Sequence, residues 1–159
     1  MTDFSIRRAA KADAPVILAL LGELAAYEKL TDKFQLTETL IMRDLLDGAA
    51  VAYCDIAFWR GEPAGLSVWY WIYRSFRAQR GLFVEDLYVR PQFRGRGFGR
   101  ALLGHLARSA AEAGAGWMEW LVLDWNTPSI AFYKSLGAAP VKDWIGYRLE
   151  GEAMTGLAI

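Results

Sequence analysis

Leu82-Phe83-Val84-Glu85-Asp86-Leu87-Tyr88-Val89-Arg90-Pro91-Gln92-Phe93-Arg94-Gly95-Arg96-Gly97-Phe98-Gly99-Arg100 decides the fold. Leu82, Val84, Asp86 and Tyr88 alternate with Phe83, Glu85, Leu87 and Val89, the period of an extended strand. Pro91 has no amide proton for a ladder, so the pairing ends there. Past the glycines, Ala101, Leu102, Leu103, Leu106, Ala107 and Ala110 recur at helical spacing along one face. A strand, a glycine loop and a helix start in succession make an anion site. The glycines let backbone amides come close, and the unpaired N–H groups of the first helical turn point at the charge. Arg94, Arg96 and Arg100 add positive charge around the loop.

The spacing separates this loop from two common phosphate binders. A dinucleotide fingerprint needs a third glycine where Arg100 or Leu102 stands, and a P-loop needs Gly-Lys-Ser/Thr at its close. The pattern that fits is R-x-x-G-x-G, read as Arg94, Gly97 and Gly99. It resembles the coenzyme A signature of the GNAT superfamily of N-acetyltransferases.

The 159 residues suggest one domain, 1–159, able to bury a substantial core. A hydrophobic share of 54% is too high for a disordered chain. No apolar run reaches the roughly 18 residues of a membrane span, and Met1 to Arg8 hold no signal segment. The expectation is a cytoplasmic protein without a membrane partner. The single cysteine, Cys54, excludes an internal disulfide and reads as a buried small hydrophobe. With one histidine, His105, read as solvent-facing, no metal site is expected. Lys+Arg and Asp+Glu balance at 18 each, which argues against a nucleic-acid partner.

Outward from the central stretch, Ser5 to Ala9 reads as a first strand. Asp13 is placed to cap a helix opened by Ala14 and Pro15 and running to Tyr27-Glu28. Thr37 to Asp47 is a second helix, stopped at Gly48. Ala50 to Trp59 and Ala64 to Tyr73 form a hairpin about Arg60-Gly61-Glu62-Pro63. The second of these strands is apolar on both faces. Trp117 to Trp125 is a further strand, parallel to the central one because a helix carries the chain between them. Thr127 as cap and Pro128 at the first position open a fourth helix that stops at Gly137. Val141 to Glu150 holds one or two last strands, and Glu152 to Ala158 a short terminal helix.

Further residues narrow the resemblance. They are Ile6-Arg7 with Ala12-Asp13, Glu23-Leu24-Ala25 with Tyr27-Glu28, Trp125-Asn126 with Pro128-Ser129-Ile130, Phe132-Tyr133-Lys134, and Gly146-Tyr147-Arg148. Together they resemble the diamine (spermidine/spermine) N-acetyltransferases and their thialysine-acetylating relatives, from about Ile6 to Arg148. The resemblance implies an α/β fold with a central mixed, mostly antiparallel sheet of six or seven strands and about four helices. In its middle lies a parallel, splayed pair that receives the pantetheine arm of acetyl-CoA. Leu87, Tyr88 and Val89 would bond that arm through their backbone. Gly95, Arg96, Gly97, Phe98, Gly99 and Arg100 would hold the diphosphate beside Arg94, and Asn126, Thr127, Pro128 and Ser129 the cofactor's other side. Tyr133 matches the general acid. Tyr27, Glu28, Glu85, Glu119, Trp120 and Leu121 match substrate-side positions, and a homodimer is implied.

The chemistry asks for a proton acceptor. An amine with a pKa of about 10.4 is protonated at neutral pH, and only its free form attacks a thioester. Glu85, a carboxylate in an apolar strand, is the candidate base, directly or through water. Strict alternation puts Asp86 on the opposite face, so at most one of the two lines the cleft. One departure stands out. Where the family places an acidic pair before Gly-aromatic-Arg, this chain has Trp144-Ile145, with Asp143 the one nearby acid. That favours a short amine over a long polyamine. The readings at this point are a small-amine N-acetyltransferase, a protein or peptide N-acetyltransferase, and a non-catalytic acyl-CoA-binding domain.

Overall fold

Strand β4 forms over Gln79–Val89, and a tight turn starting at Pro91 leads the chain out of it. The computed structural model describes residues 3–142 and 144–158. They belong to two compact units, Met1–Leu123 and Asp124–Ile159. In the first unit β4 is the fourth strand of a sheet ordered β1-β2-β3-β4-β5. Its companions are β1 (Phe4–Arg8), β2 (Tyr53–Trp59), β3 (Glu62–Arg74) and β5 (Met118–Trp120). The first four run antiparallel; β5 is parallel to β4, as the intervening helix α3 (Phe98–Glu112) requires.

Two helical layers bury the sheet. α1 (Ala14–Tyr27) turns Ile17, Leu20, Leu21 and Leu24 onto Cys54, Ile56, Leu66, Val68 and Tyr88, with Ile41 from the short helix α2 (Glu38–Ile41). The expected second helix stops being α-helical at Met42 and closes with a wider π turn over Met42–Leu46. Asp55 alternates with Ile56 along β2 and so faces the other side. There α3 buries Leu102, Leu103 and Leu106, and His105 Nε2 lies 3.6 Å from Asp55 Oδ1. His105 is therefore half-buried against a carboxylate, not turned to solvent as expected. Trp69 Nε1 donates to Asp55 at 2.6 Å and Arg8 pairs with it at 3.1 Å, which compensates a carboxylate that is 1% exposed. Cys54 is fully buried, and burial pushes its thiol up, away from the thiolate that a nucleophile needs.

Asp13 does not cap α1. Its carboxylate accepts from both Arg7 guanidinium nitrogens and from the Ala10 N–H, at 2.7–2.9 Å. These three bonds lower its pKa, with the Arg7 hydrogen bond the main cause, and lock β1 to the start of the helix.

The sheet has five strands, not six or seven, and the parallel pair lies at its edge. β5 is three residues long, shorter than the Trp117–Trp125 expected, because its pairing stops at Val84↔Trp120. Between Val141 and Glu150 no described residue is in a strand, and Trp144, Ile145 and Tyr147 are exposed. An apolar segment becomes a strand only when a neighbour takes its ladder bonds, and among the described residues none does. Asp143 lies outside the described residues. In the second unit, α4 spans Thr127–Ser135 and α5 spans Glu152–Thr155.

Candidate active site

A β-bulge reorganises β4 at its acidic centre. Val68 pairs with Asp86 and Trp69 with Val84, so Glu85 is an extra residue on the β4 side. Its consequence can be followed through the backbone. The Leu82 N–H donates towards β5, to the Trp117 carbonyl, and the Arg90 N–H towards β3, to Ala64. Both residues are even-numbered, so a regular strand would send both amides to one side; the bulge is where the sides exchange. Beyond it, Leu87 and Val89 turn their backbone groups to the side that β5 has left. Tyr88 turns its own to β3, where its carbonyl would sit 2.3 Å from a Cβ at Gly65. Glycine is the residue that lets these strands approach so closely. Of the three residues expected to present backbone to a pantetheine arm, Leu87 and Val89 are oriented for it and Tyr88 is not. The Val89 carbonyl already accepts from Arg94 Nε at 2.9 Å.

The bulge also changes the side-chain faces. Phe83 stacks on Tyr70, a residue of the α1-side core, so Glu85, two further on, shares that face. Tyr88 lies in the same core, so Asp86, two before it, faces α1 as well. The expectation that Glu85 and Asp86 point to opposite faces is corrected: both face α1. Their proximity is visible in their electrostatics. Burial, then Glu85, then Glu28 at the end of α1 raise the Asp86 pKa to about 7. Burial raises the Glu28 pKa as well. Tyr70 donates from its hydroxyl to Glu85 Oε2 at 3.1 Å. The result is a group of three carboxylates, Glu28, Glu85 and Asp86, at the open edge of β4.

The glycine loop fits an anion. Gly95 and Gly97 have φ of +76° and +82°, and a Cβ on either would meet nothing within 4 Å. No side chain caps α3, whose first turn begins at Phe98 just after Gly97. Phe98 itself is an anchor: its ring is buried against Phe4, Trp59 and Phe93, leaving its amide for a ligand. Arg96 and Arg100 are exposed, the former with its guanidinium over Trp59 at 5.7 Å. The Arg94 guanidinium lies over the Tyr27 ring at 4.9 Å and near Tyr88 at 5.8 Å. A cation of the chain itself therefore lies over Tyr27, one of the expected substrate-side residues. Arg90 ties the same corner to α1, donating to Glu23 at 2.8–3.1 Å and to the Pro63 carbonyl.

On β5 the Glu119 carboxylate is held by Arg74 at 2.9 and 3.0 Å, which neutralises it as an anchor for a cation. Trp120 is half-buried and Leu121 is exposed just past the last paired residue. In the second unit Asn126, not Thr127, caps α4: its side chain accepts from the Ser129 N–H at 3.3 Å and is buried. An amide oxygen one residue earlier reaches the third helical amide, and Pro128 falls at the second helical position. Tyr133 lies in the second turn of that helix, its ring 5.3 Å from Phe132.

Comparison with known proteins shows the family and the fold. The profile described as the acetyltransferase (GNAT) family matches residues 18–138. Thialysine N-epsilon-acetyltransferase of Sus scrofa is 34% identical over 169 residues, covering 99% of each chain. L-ornithine N5-acetyltransferase of Arabidopsis thaliana is 39% identical over 94 residues, or 59% of this chain and 41% of its own. Among solved structures, an integron cassette protein from the mobile metagenome of V. cholerae superposes with a TM-score of 0.84 at 23% identity, over 99% of both chains.

Proposed function

Because the chain belongs to the acetyltransferase (GNAT) family, and is an acetyltransferase, we propose that it acetylates a primary amine of a small cationic acceptor, with acetyl-CoA as donor, by direct attack in a ternary complex. The observation that carries the acceptor class is the trio of carboxylates: Glu85 and Asp86, brought to one face by the bulge, and Glu28 at the end of α1. Clustered acids oppose one another unless a cation joins them, and an ammonium group supplies that charge.

When bound, acetyl-CoA supplies an acetyl thioester. The amides of Gly95 to Arg100 and the first turn of α3 hold its diphosphate, aided by the charge of Arg96 and Arg100. Leu87 and Val89 would offer outward backbone groups to its arm, and the Leu87 N–H would be the donor for negative charge that develops on the carbonyl oxygen. Glu85 takes the proton from the acceptor ammonium, directly or through water. Without it, freeing an amine of pKa about 10.4 at pH 7 costs roughly 4–5 kcal/mol. Tyr133 returns a proton to the departing thiolate, a transfer between groups whose ordinary pKa values lie within about two units.

Relatives named for thialysine and L-ornithine act on amino acids that carry an amine at the end of a side chain. We place the acceptor of this chain in the same class, in keeping with Trp144-Ile145 standing where the resemblance implies an acidic pair. A panel of thialysine, lysine, ornithine, diamines, spermidine and lysine-bearing peptides, monitored by thiol release, tests this. The expected order puts the amino-acid amines first by at least about tenfold in kcat/KM, a margin of about 1.4 kcal/mol. Peptides ahead of every small amine would move the acceptor to a protein. No thiol release with any amine would leave an acyl-CoA-binding domain.

A further inference from the structure

We propose that Tyr70 is a positioning residue for the reaction: its phenol holds the Glu85 carboxylate in the orientation that accepts the acceptor's proton. This rests on the proposal that Glu85 is the base. Glu85 is the bulge residue of β4, exposed, with no partner directly across on β3 to fix it. The Tyr70 hydroxyl donates to its Oε2 at 3.1 Å. The phenol is itself held, because its ring stacks on Phe83 at 5.1 Å with 25° between planes, and Phe83 is the residue paired opposite it.

Bulge and phenol thus divide the task. The bulge turns the carboxylate towards α1, and the phenol selects its rotamer. Burial, followed by the charge of Glu85 and the hydrogen bond to it, pushes the Tyr70 pKa up to about 12, so the hydroxyl remains a donor throughout the range in which an amine substrate is turned over. The other charged groups near the pair are Asp86 beside Glu85 on β4, Glu28 at the end of α1, and Glu119 on β5, which Arg74 of β3 neutralises. Asp86 and Glu28 both oppose a negative Glu85. A donor aimed at Glu85 fixes its carboxylate beside them, and its removal leaves the side chain free to turn away.

The test compares kcat and KM for the amine, at saturating acetyl-CoA, in the wild type, Tyr70→Phe, Glu85→Gln and the double variant. Tyr70→Phe keeps the ring and its stack on Phe83, and a thermal midpoint close to wild type confirms folding. The expected result is a kcat about three- to tenfold below wild type with KM within about twofold, because the carboxylate is present but no longer held for proton acceptance. In the Glu85→Gln background the same change has no further effect. A Tyr70→Phe kcat equal to wild type, or a loss carried by KM alone, overturns the role of Tyr70 alone. A Glu85→Gln enzyme that turns over like the wild type overturns the base assignment, and the role of Tyr70 with it.

Discussion

Glu85→Gln lowers kcat/KM for the amine by about 10²-fold or more at pH 7, because an amide cannot take the ammonium proton. The loss falls on the step with the free amine, so raising the pH towards the amine's own pKa restores part of the rate. At each higher unit of pH, solvent supplies about ten times more of the free amine until that pKa is reached. A Glu85→Gln enzyme that responds to pH like the wild type would contradict proton acceptance by Glu85. One whose acetyl-CoA affinity collapses while the pH response stays intact would place the residue on the cofactor side.

Asp86→Asn is expected to stabilise the fold above neutral pH and to weaken the amine. The sign follows from where the proton sits. In the folded chain burial, then Glu85 and Glu28, hold the Asp86 pKa at about 7; in the unfolded chain a carboxyl titrates near 3.9. Below about pH 4 both states carry the proton and no penalty exists. Between 4 and 7 the unfolded state ionises first, so stability falls as pH rises, and above 7 the whole penalty is in place. At about 1.36 kcal/mol per unit the penalty amounts to roughly 2–4 kcal/mol, the upper figure being the undiscounted shift. Asparagine carries no such penalty. The variant should melt higher than wild type by about 5–10 °C at pH 8 and within about 2 °C of it at pH 4. An equal shift at both pH values would mean that packing, not charge, sets the effect. The price of the gain is a higher KM for the amine, since one of three anions is gone.

The central strand, the glycine loop and α3 were legible because each has a local physical signature: period two, proline at the stop, glycines followed by an apolar helical stripe. α1 and α4 were legible for the same reason, although their caps were misread. Asp13 was drawn to Arg7 across the β1–α1 corner, and Asn126 was better placed than Thr127. The bulge was not legible. Val84-Glu85-Asp86-Leu87 keeps its alternation on paper, and the extra residue is set by pairing with a strand some fifteen positions earlier. With it went the faces of Glu85 and Asp86 and the orientation of Leu87, so half of the candidate site depended on a long-range register. A run of two acids in a buried strand was the available signal, since at most one could be solvated by alternation. The place of Arg94 in R-x-x-G-x-G was legible; that its Nε bonds the Val89 carbonyl and its guanidinium rests on Tyr27 was not. The expected strands near Tyr147 followed from composition, which does not say whether a partner edge is present.

Titration of the purified protein with acetyl-CoA in a calorimeter tests the anion loop most directly. The account predicts saturable binding with one site per chain, and a loss of at least about tenfold in affinity when Gly97, at φ +82° with its amide beside the first turn of α3, is replaced by valine. Absence of binding to the folded wild-type protein, or equal affinity in Gly97→Val, would contradict it.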